Sequence, residues 1–146
     1  MNCIVKIKKL VEDARVPDYA HLGDSGADLF STVDETLAPL ERKGIPTGLA
    51  AEVPMGFELQ VRPKSGLALN SGLTVLNTPG TIDFGYRGEI KVILINLTQE
   101  PYKISKGQKI AQLVVAPVAY ARFQEEQQLS DTSRGAGGFG STGLNK

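Results

Sequence analysis

Phe57-Glu58-Leu59-Gln60-Val61-Arg62 alternates apolar and polar residues with a period of two. That is the pattern of a strand with one buried and one wet face. Ile90-Lys91-Val92-Ile93-Leu94-Ile95 is apolar on both faces after its lysine, as a central strand would be. Ile110-Ala111-Gln112-Leu113-Val114-Val115 repeats that pattern with one interruption, Gln112. Cys3 to Ile7 is a further strand, and Ala27–Ser31, Glu35–Leu40 and Ile45–Glu52 carry weaker strand patterns. Helical signal is thin. Val11 to Ala14 allows one turn before Pro17 stops it, and residues 65–70 allow another. Short strands separated by turn residues predict an all-β sandwich, jelly roll or barrel.

Composition supports that reading. Of 146 residues, 16 are Gly and 8 are Pro, spread along the chain, which strand-and-turn proteins tolerate better than helices do. The length predicts one domain. The 16 basic and 16 acidic residues balance, which argues against nucleic-acid binding through bulk positive charge. One cysteine, Cys3, excludes an intrachain disulfide and thiolate zinc sites. With the single histidine, His21, it reads as incidental. No apolar run is long enough to span a membrane, and the early charges of the N-terminus do not fit a signal peptide. The expected location is cytoplasmic, where Asn96-Leu97-Thr98 has no meaning as a glycosylation acceptor.

The chain changes character at Gln124. From there to Lys146 apolar residues are sparse, and five of the ten residues from Arg134 to Gly143 are glycine. Composition alone favours a loose tail over an arm that orders on a ligand. The division expected is a β-domain over 1–123 and a tail over 124–146.

Five segments could carry chemistry. Gly135-Ala136-Gly137-Gly138-Phe139-Gly140 fits G-x-G-x-x-G but cannot open a βαβ unit so close to the end. Its glycines can still present N–H groups to phosphate, beside Arg134, Ser141 and Thr142, with Phe139 available to stack on a base. Arg62-Pro63-Lys64-Ser65-Gly66-Leu67 follows a strong strand and is either an anion site or an ordinary turn. In Asp24-Ser25-Gly26-Ala27-Asp28-Leu29, Asp28 is either a turn acceptor or a carboxylate that helps hold Mg²⁺ through water. Asn77 to Gly88 is held tight by Gly80, Gly85 and Gly88, and Asp83 and Tyr86 either face one pocket or Tyr86 packs on a hairpin. Gln112, an amide in an apolar strand, needs a partner in the fold or in a ligand.

Taken in chain order, from about Asp24 to Gly143, the five segments resemble the motifs of the homotrimeric dUTPase family. The most specific pieces are Lys64-Ser65-Gly66-Leu67-Ala68, Gly80-Thr81-Ile82-Asp83 with Tyr86-Arg87-Gly88, and Arg134-Gly135 with Gly138 to Gly143. The resemblance implies a jelly-roll-like β-barrel, three sites between three chains, and a flexible Gly-rich C-terminal arm that closes each site. The arm reading then replaces the loose tail.

The implied reaction is hydrolysis of dUTP to dUMP and pyrophosphate, limiting uracil in DNA and supplying dUMP for dTMP synthesis. Asp83 would activate the water that attacks the α-phosphorus. Asp28 would hold the water shell of Mg²⁺, the implied cofactor. Ser65, the Gly66 backbone, Gln112, Arg134, the Gly140 backbone and Ser141 would contact phosphates, with Lys64 and Lys91 adding charge. Asn77, Gly80, Thr81 and Ile82 would read uracil, Tyr86 would exclude a 2′-hydroxyl, and Phe139 would stack on the base. Lys64 stands where the family commonly has Arg, which keeps the charge and loses the planar fork. The related dCTP deaminases place a catalytic Glu at the position that corresponds here to Ile93, which cannot transfer a proton.

Overall fold

The computed structural model describes residues 3–143. Ten strands and one short helix follow in the order β1 (Lys6–Lys9), β2 (Gly26–Phe30), β3 (Glu35–Leu37), β4 (Arg42–Glu52), β5 (Phe57–Arg62), α1 (Ser65–Ser71), β6 (Leu73–Val75), β7 (Gly80–Ile82), β8 (Glu89–Asn96), β9 (Tyr102–Ile104) and β10 (Lys109–Pro117). They form two four-stranded sheets, β1-β4-β8-β6 and β2-β10-β5-β7, and a small β3-β9 pair. Every pairing is antiparallel. One core joins both sheets, with Ile45, Leu49, Leu73, Ile90, Val92 and Leu94 from the first and Leu29, Leu59, Val61, Ala111 and Leu113 from the second. The all-β, jelly-roll-like expectation holds.

The strands follow from their patterns, with two instructive differences. β8 is central in its sheet, but only Ile90, Val92, Leu94 and Asn96 point into the core. Lys91 and Ile93 face outward, so the second apolar face expected of this strand is uncovered in the single chain. β1 begins at Lys6, later than the apolar run from Cys3, because its pairing is with β4 from Lys6↔Glu52 to Lys9↔Leu49. Strands β6, β7 and β9 have three residues each, too short to show a period. Residues 65–70 do form the helix α1, and Val11–Ala14 forms a turn closed by Ala14 N–H to the Val11 carbonyl.

Buried polar groups are satisfied. Asn96, fully buried, donates through Nδ2 to the carbonyls of Leu37 and Glu100 and accepts from Thr98. It is a structural tie between β8 and the β3-β9 pair. Thr47 donates to the Ile90 carbonyl at 2.6 Å where the β4·β8 register shifts. There Gly48 takes φ +67°, and a Cβ would lie 2.6 Å from Val11 Cγ2, so no other residue fits.

Candidate active site

β5 and β10 place the second and fifth motifs side by side. Gln112 on β10 lies between Asp28 of β2 and Arg62 of β5. Its Nε2 donates to the Pro63 carbonyl at 3.0 Å, which ties down the loop leading to Lys64 and Ser65. Its Oε1 lies over Gly26, where a Cβ would come within 2.1 Å. The amide in the apolar strand is thus a structural contact here, with one Nε2 hydrogen still uncommitted.

Asp28 is the buried carboxylate of this cluster. Its side chain is 8% exposed and holds two cations, one on each oxygen. Lys64 Nζ donates to Oδ1 at 2.5 Å and Lys109 Nζ to Oδ2 at 2.6 Å. Burial alone would raise its pKa, but hydrogen bonds and charge from Lys109 and Lys64 outweigh that and hold it below the usual 3.8. Asp28 is no turn acceptor; its backbone N–H bonds the Asp18 carbonyl and its carboxylate belongs to the lysines. Lys109, just before the apolar run of β10, is not marked by the sequence pattern; a lysine opening a strand carries no sequence signal of what it faces.

The fourth motif builds a separate groove of about 700 Å³. Asn77, Gly80, Thr81, Ile82, Tyr86 and Lys91, all expected to touch substrate, line it together. At Gly80 a Cβ would sit 3.3 Å from both Asn77 Nδ2 and Val61 Cβ, a tight contact that a larger residue could make only by shifting those neighbours. Beyond β7 the chain turns at Asp83, whose carbonyl accepts from Tyr86 N–H at 3.1 Å. Tyr86 folds back over Gly88, where a Cβ would lie 2.4 Å from Oη, and donates to the Glu89 carbonyl at 3.0 Å. Tyr86 thus packs on its hairpin and also walls the groove, whereas Asp83 is not among the groove's lining residues. Asp83 is exposed at the turn beside the groove and has no ion-pair partner among the described residues.

The groove contains residues that the motifs did not mark: Arg42, Lys43 and Gly44 from β4, and Glu89, Ile90 and Ile93 from β8. Their strands are ordinary in sequence, and only the β4·β8 pairing brings them to the β7 turn. Glu89 is committed to the fold, accepting from Gly48 N–H at 3.0 Å. Ile93, the position that would carry a deaminase glutamate, presents an apolar side chain to the groove.

Asp28, Lys64, Ser65, Gly66 and Gln112 do not line this groove, and neither do Arg134, Phe139, Gly140 and Ser141. The last four belong to the tail, which has no strand or helix over residues 124–143. Its hydrogen bonds among the described residues are internal, such as Arg134 Nε to the Gly137 carbonyl and Ser141 N–H to the Gly138 carbonyl. Phe139 is fully exposed, and residues 144–146, the end of the predicted arm, lie outside the described residues. No group of three or more His, Cys, Asp or Glu residues that could cage a metal occurs among the described residues. Asp28, the carboxylate expected to hold Mg²⁺ through water, is buried with a lysine on each oxygen; a single carboxylate suits a hydrated Mg²⁺ bound mainly by phosphates once one of those lysines has turned away. No helix among them is long and apolar enough to cross a membrane.

Comparison with known proteins agrees with the motifs. The dUTPase family model matches residues 12–143. A deoxyuridine 5′-triphosphate nucleotidohydrolase of Nautilia profundicola is 57% identical over 139 residues, covering 95% of this chain and 98% of the relative. That of Clostridium tetani is 54% identical over 139 residues, covering 95% and 96%. Among solved structures, a Staphylococcus bacteriophage 80alpha dUTPase with bound dUpNHpp superposes with a TM-score of 0.90 at 27% identity, covering 98% of this chain and all of that one. A dUTPase of phage phi11 of S. aureus, described with a structural Mg(II) ion, shares the fold at a TM-score of 0.81 and 24% identity, covering 88% of this chain and all of that one. A family model over nearly the whole length and relatives above half identity lead to one conclusion: the chain belongs to the dUTPase family.

Proposed function

We propose that the chain hydrolyses dUTP to dUMP and pyrophosphate in a site composed of the groove, the Asp28 cluster and the arm. The activity comes with the family; the residue roles are our own reading. The observation that carries them is the groove itself, in which Asn77, Gly80, Thr81, Ile82, Tyr86 and Lys91 converge, with Asp83 next in the chain after the lining residue Ile82.

The nucleoside lies in the groove. Asn77 and the backbone of Thr81 and Ile82 read the uracil edge, with Gly80 giving the room. Cytosine presents the reversed donor pattern and would leave these groups unpaired, which discriminates strongly. Tyr86, fixed over Gly88 and bonded to the Glu89 carbonyl, walls the sugar and excludes a 2′-hydroxyl. Asp83 accepts a proton from water as the water oxygen bonds the α-phosphorus. The bond from that phosphorus to the bridging oxygen breaks, and its electron pair leaves with pyrophosphate.

The phosphates meet fixed donors: Ser65 and the Gly66 backbone, the second Nε2 hydrogen of Gln112, and from the arm Arg134, the Gly140 backbone and Ser141. Lys64 and Lys91 add charge. Mg²⁺, when bound, neutralises phosphate charge and favours departure of pyrophosphate. Asp28 is the residue that would hold it, through water. Phe139 stacks on the base. Among the described residues the arm meets no other part of its own chain by hydrogen bond, and the outward face of β8 is uncovered; both support a homotrimer in which arms and clusters complete their neighbours' grooves. The balanced charge supports no nucleic-acid partner, and the location proposed is cytoplasmic.

The test is pyrophosphate release from dUTP with Mg²⁺, beside UTP, dTTP and dCTP, in the native chain and in Asp83→Asn. Release from dUTP alone, lost in the variant, is the expected result. Turnover that survives Asp83→Asn removes the base assignment, and ammonia from dCTP removes the reaction.

A further inference from the structure

Two ammonium groups meet one carboxylate at Asp28, so the cluster holds one cation more than its own charge requires. The two lysines are not equivalent. Lys109 opens β10, which pairs directly with β2, and in that register it lies opposite Phe30, two residues from Asp28. Lys64 stands in the loop between β5 and α1, with extended backbone at φ −89° and ψ 125°, next to Ser65 and Gly66. The first is held by a ladder of backbone hydrogen bonds, while the second belongs to the segment that faces the phosphates. Each Asp28 oxygen already carries one ammonium, and with the side chain only 8% exposed, departure of a lysine is what opens room for another donor.

We infer that Lys109 is a positioning residue: it is the fixed partner that keeps Asp28 aimed while Lys64 exchanges from Asp28 Oδ1 to the substrate triphosphate. The inference rests on the functional reading above and extends it to a residue that reading leaves out. When Lys64 turns to the phosphates, Oδ1 becomes free to accept a hydrogen bond from metal-bound water, and Oδ2 stays on Lys109. Arrival of the triphosphate and the availability of Asp28 are thus linked through one side chain. Without Lys109, Asp28 would lose its remaining partner when Lys64 leaves and could follow it, by pivoting toward the phosphate side.

The experiment measures binding of a non-hydrolysable imido analogue of dUTP by calorimetry, with and without Mg²⁺, in the native chain, Lys109→Met and Lys109→Arg. Binding of dUMP serves as a control for the groove and the fold. Partners of this kind usually contribute ten- to a hundredfold, so Lys109→Met should cut the Mg²⁺-dependent gain in analogue affinity by about tenfold or more. Affinity for dUMP should stay unchanged, and Lys109→Arg should restore most of the gain. A native-like gain in Lys109→Met overturns the inference, and so does equal loss of dUMP and analogue binding, which would mean a purely structural lysine. If the native chain does not hydrolyse dUTP, the functional reading fails; if it does and Lys109→Met keeps the gain, only the inference fails.

Discussion

Asp28 lies within β2 and Asp83 directly follows β7, and the surroundings of these two carboxylates are opposite. Asp28 is buried, with an ammonium on each oxygen and a pKa held below the ordinary range. Asp83 is exposed at a turn, with no cation on it among the described residues. A carboxylate that is to take a proton from water must be reachable by water and not already spent on cations. One that is to stay charged under load is better clamped. The difference teaches that the division of labour between the two residues is built by burial and partners, since their side-chain chemistry is the same.

The largest expected effect comes from the exposed member. Asp83→Asn should lower kcat by about 10²–10⁴-fold, the usual contribution of a positioned general base. Thermal unfolding should be unchanged, because the side chain has no ion pair to lose. A fall in melting temperature with activity retained would reverse the comparison.

Removing the arm by truncation before Ser133 should cost about 10²–10³-fold in kcat, the scale of losing fixed donors on a charged transition state. The arm's hydrogen bonds among the described residues are internal, so circular dichroism and melting should match the full chain.

Asp28→Asn should affect both activity and stability. It leaves two lysines facing an amide, so turnover at limiting Mg²⁺ should fall about ten- to a hundredfold. Lys64 and Lys109 are partly exposed, which solvent screening discounts, so destabilisation should be about 1 kcal/mol or less, read from urea melts.

That stability has a pH signature. Asp28 has a folded pKa below its unfolded 3.8, so its contribution is present above that value and lost as pH falls through the folded value. Stability of the native chain and Asp28→Asn should differ at neutral pH and converge below pH 3.8. Parallel curves down the acid range would show that the lysines do not act as described. The smallest effect is expected for Tyr86→Phe, which loses a hydrogen bond to the Glu89 carbonyl at an exposed position and should cost about 0.5 kcal/mol.

Much of the fold was legible because period-two alternation reports burial directly. Phe57–Arg62 is a strand with the bounds its pattern predicts, and the helix falls within one residue of 65–70. Of the three-residue strands only β3 was legible; β6, β7 and β9 are made by their neighbours rather than by their own pattern. The outward face of β8 misled for a related reason. Ile93 and Ile95 read as core, but hydrophobicity tells that a side chain is apolar and not which surface will cover it.

The residues of the candidate site were legible as types and positions. Glycines at 80 and 88, the carboxylates at 28 and 83, and the Gly-rich tail each need particular chemistry that few residues supply. The sequence by itself determined the all-β class, the alternating core, and the residues that can hold phosphate, read a base or take a proton. The tertiary structure alone decided that Arg42 and Lys43 would join Tyr86 in one groove, and that Lys109 and Lys64 would share Asp28 while Asp83 stayed uncommitted. Local pattern follows from covalent order and solvent, which act within a few residues. Partners brought together across strand pairings depend on register and packing, and those are settled only when the sheets close on a common core.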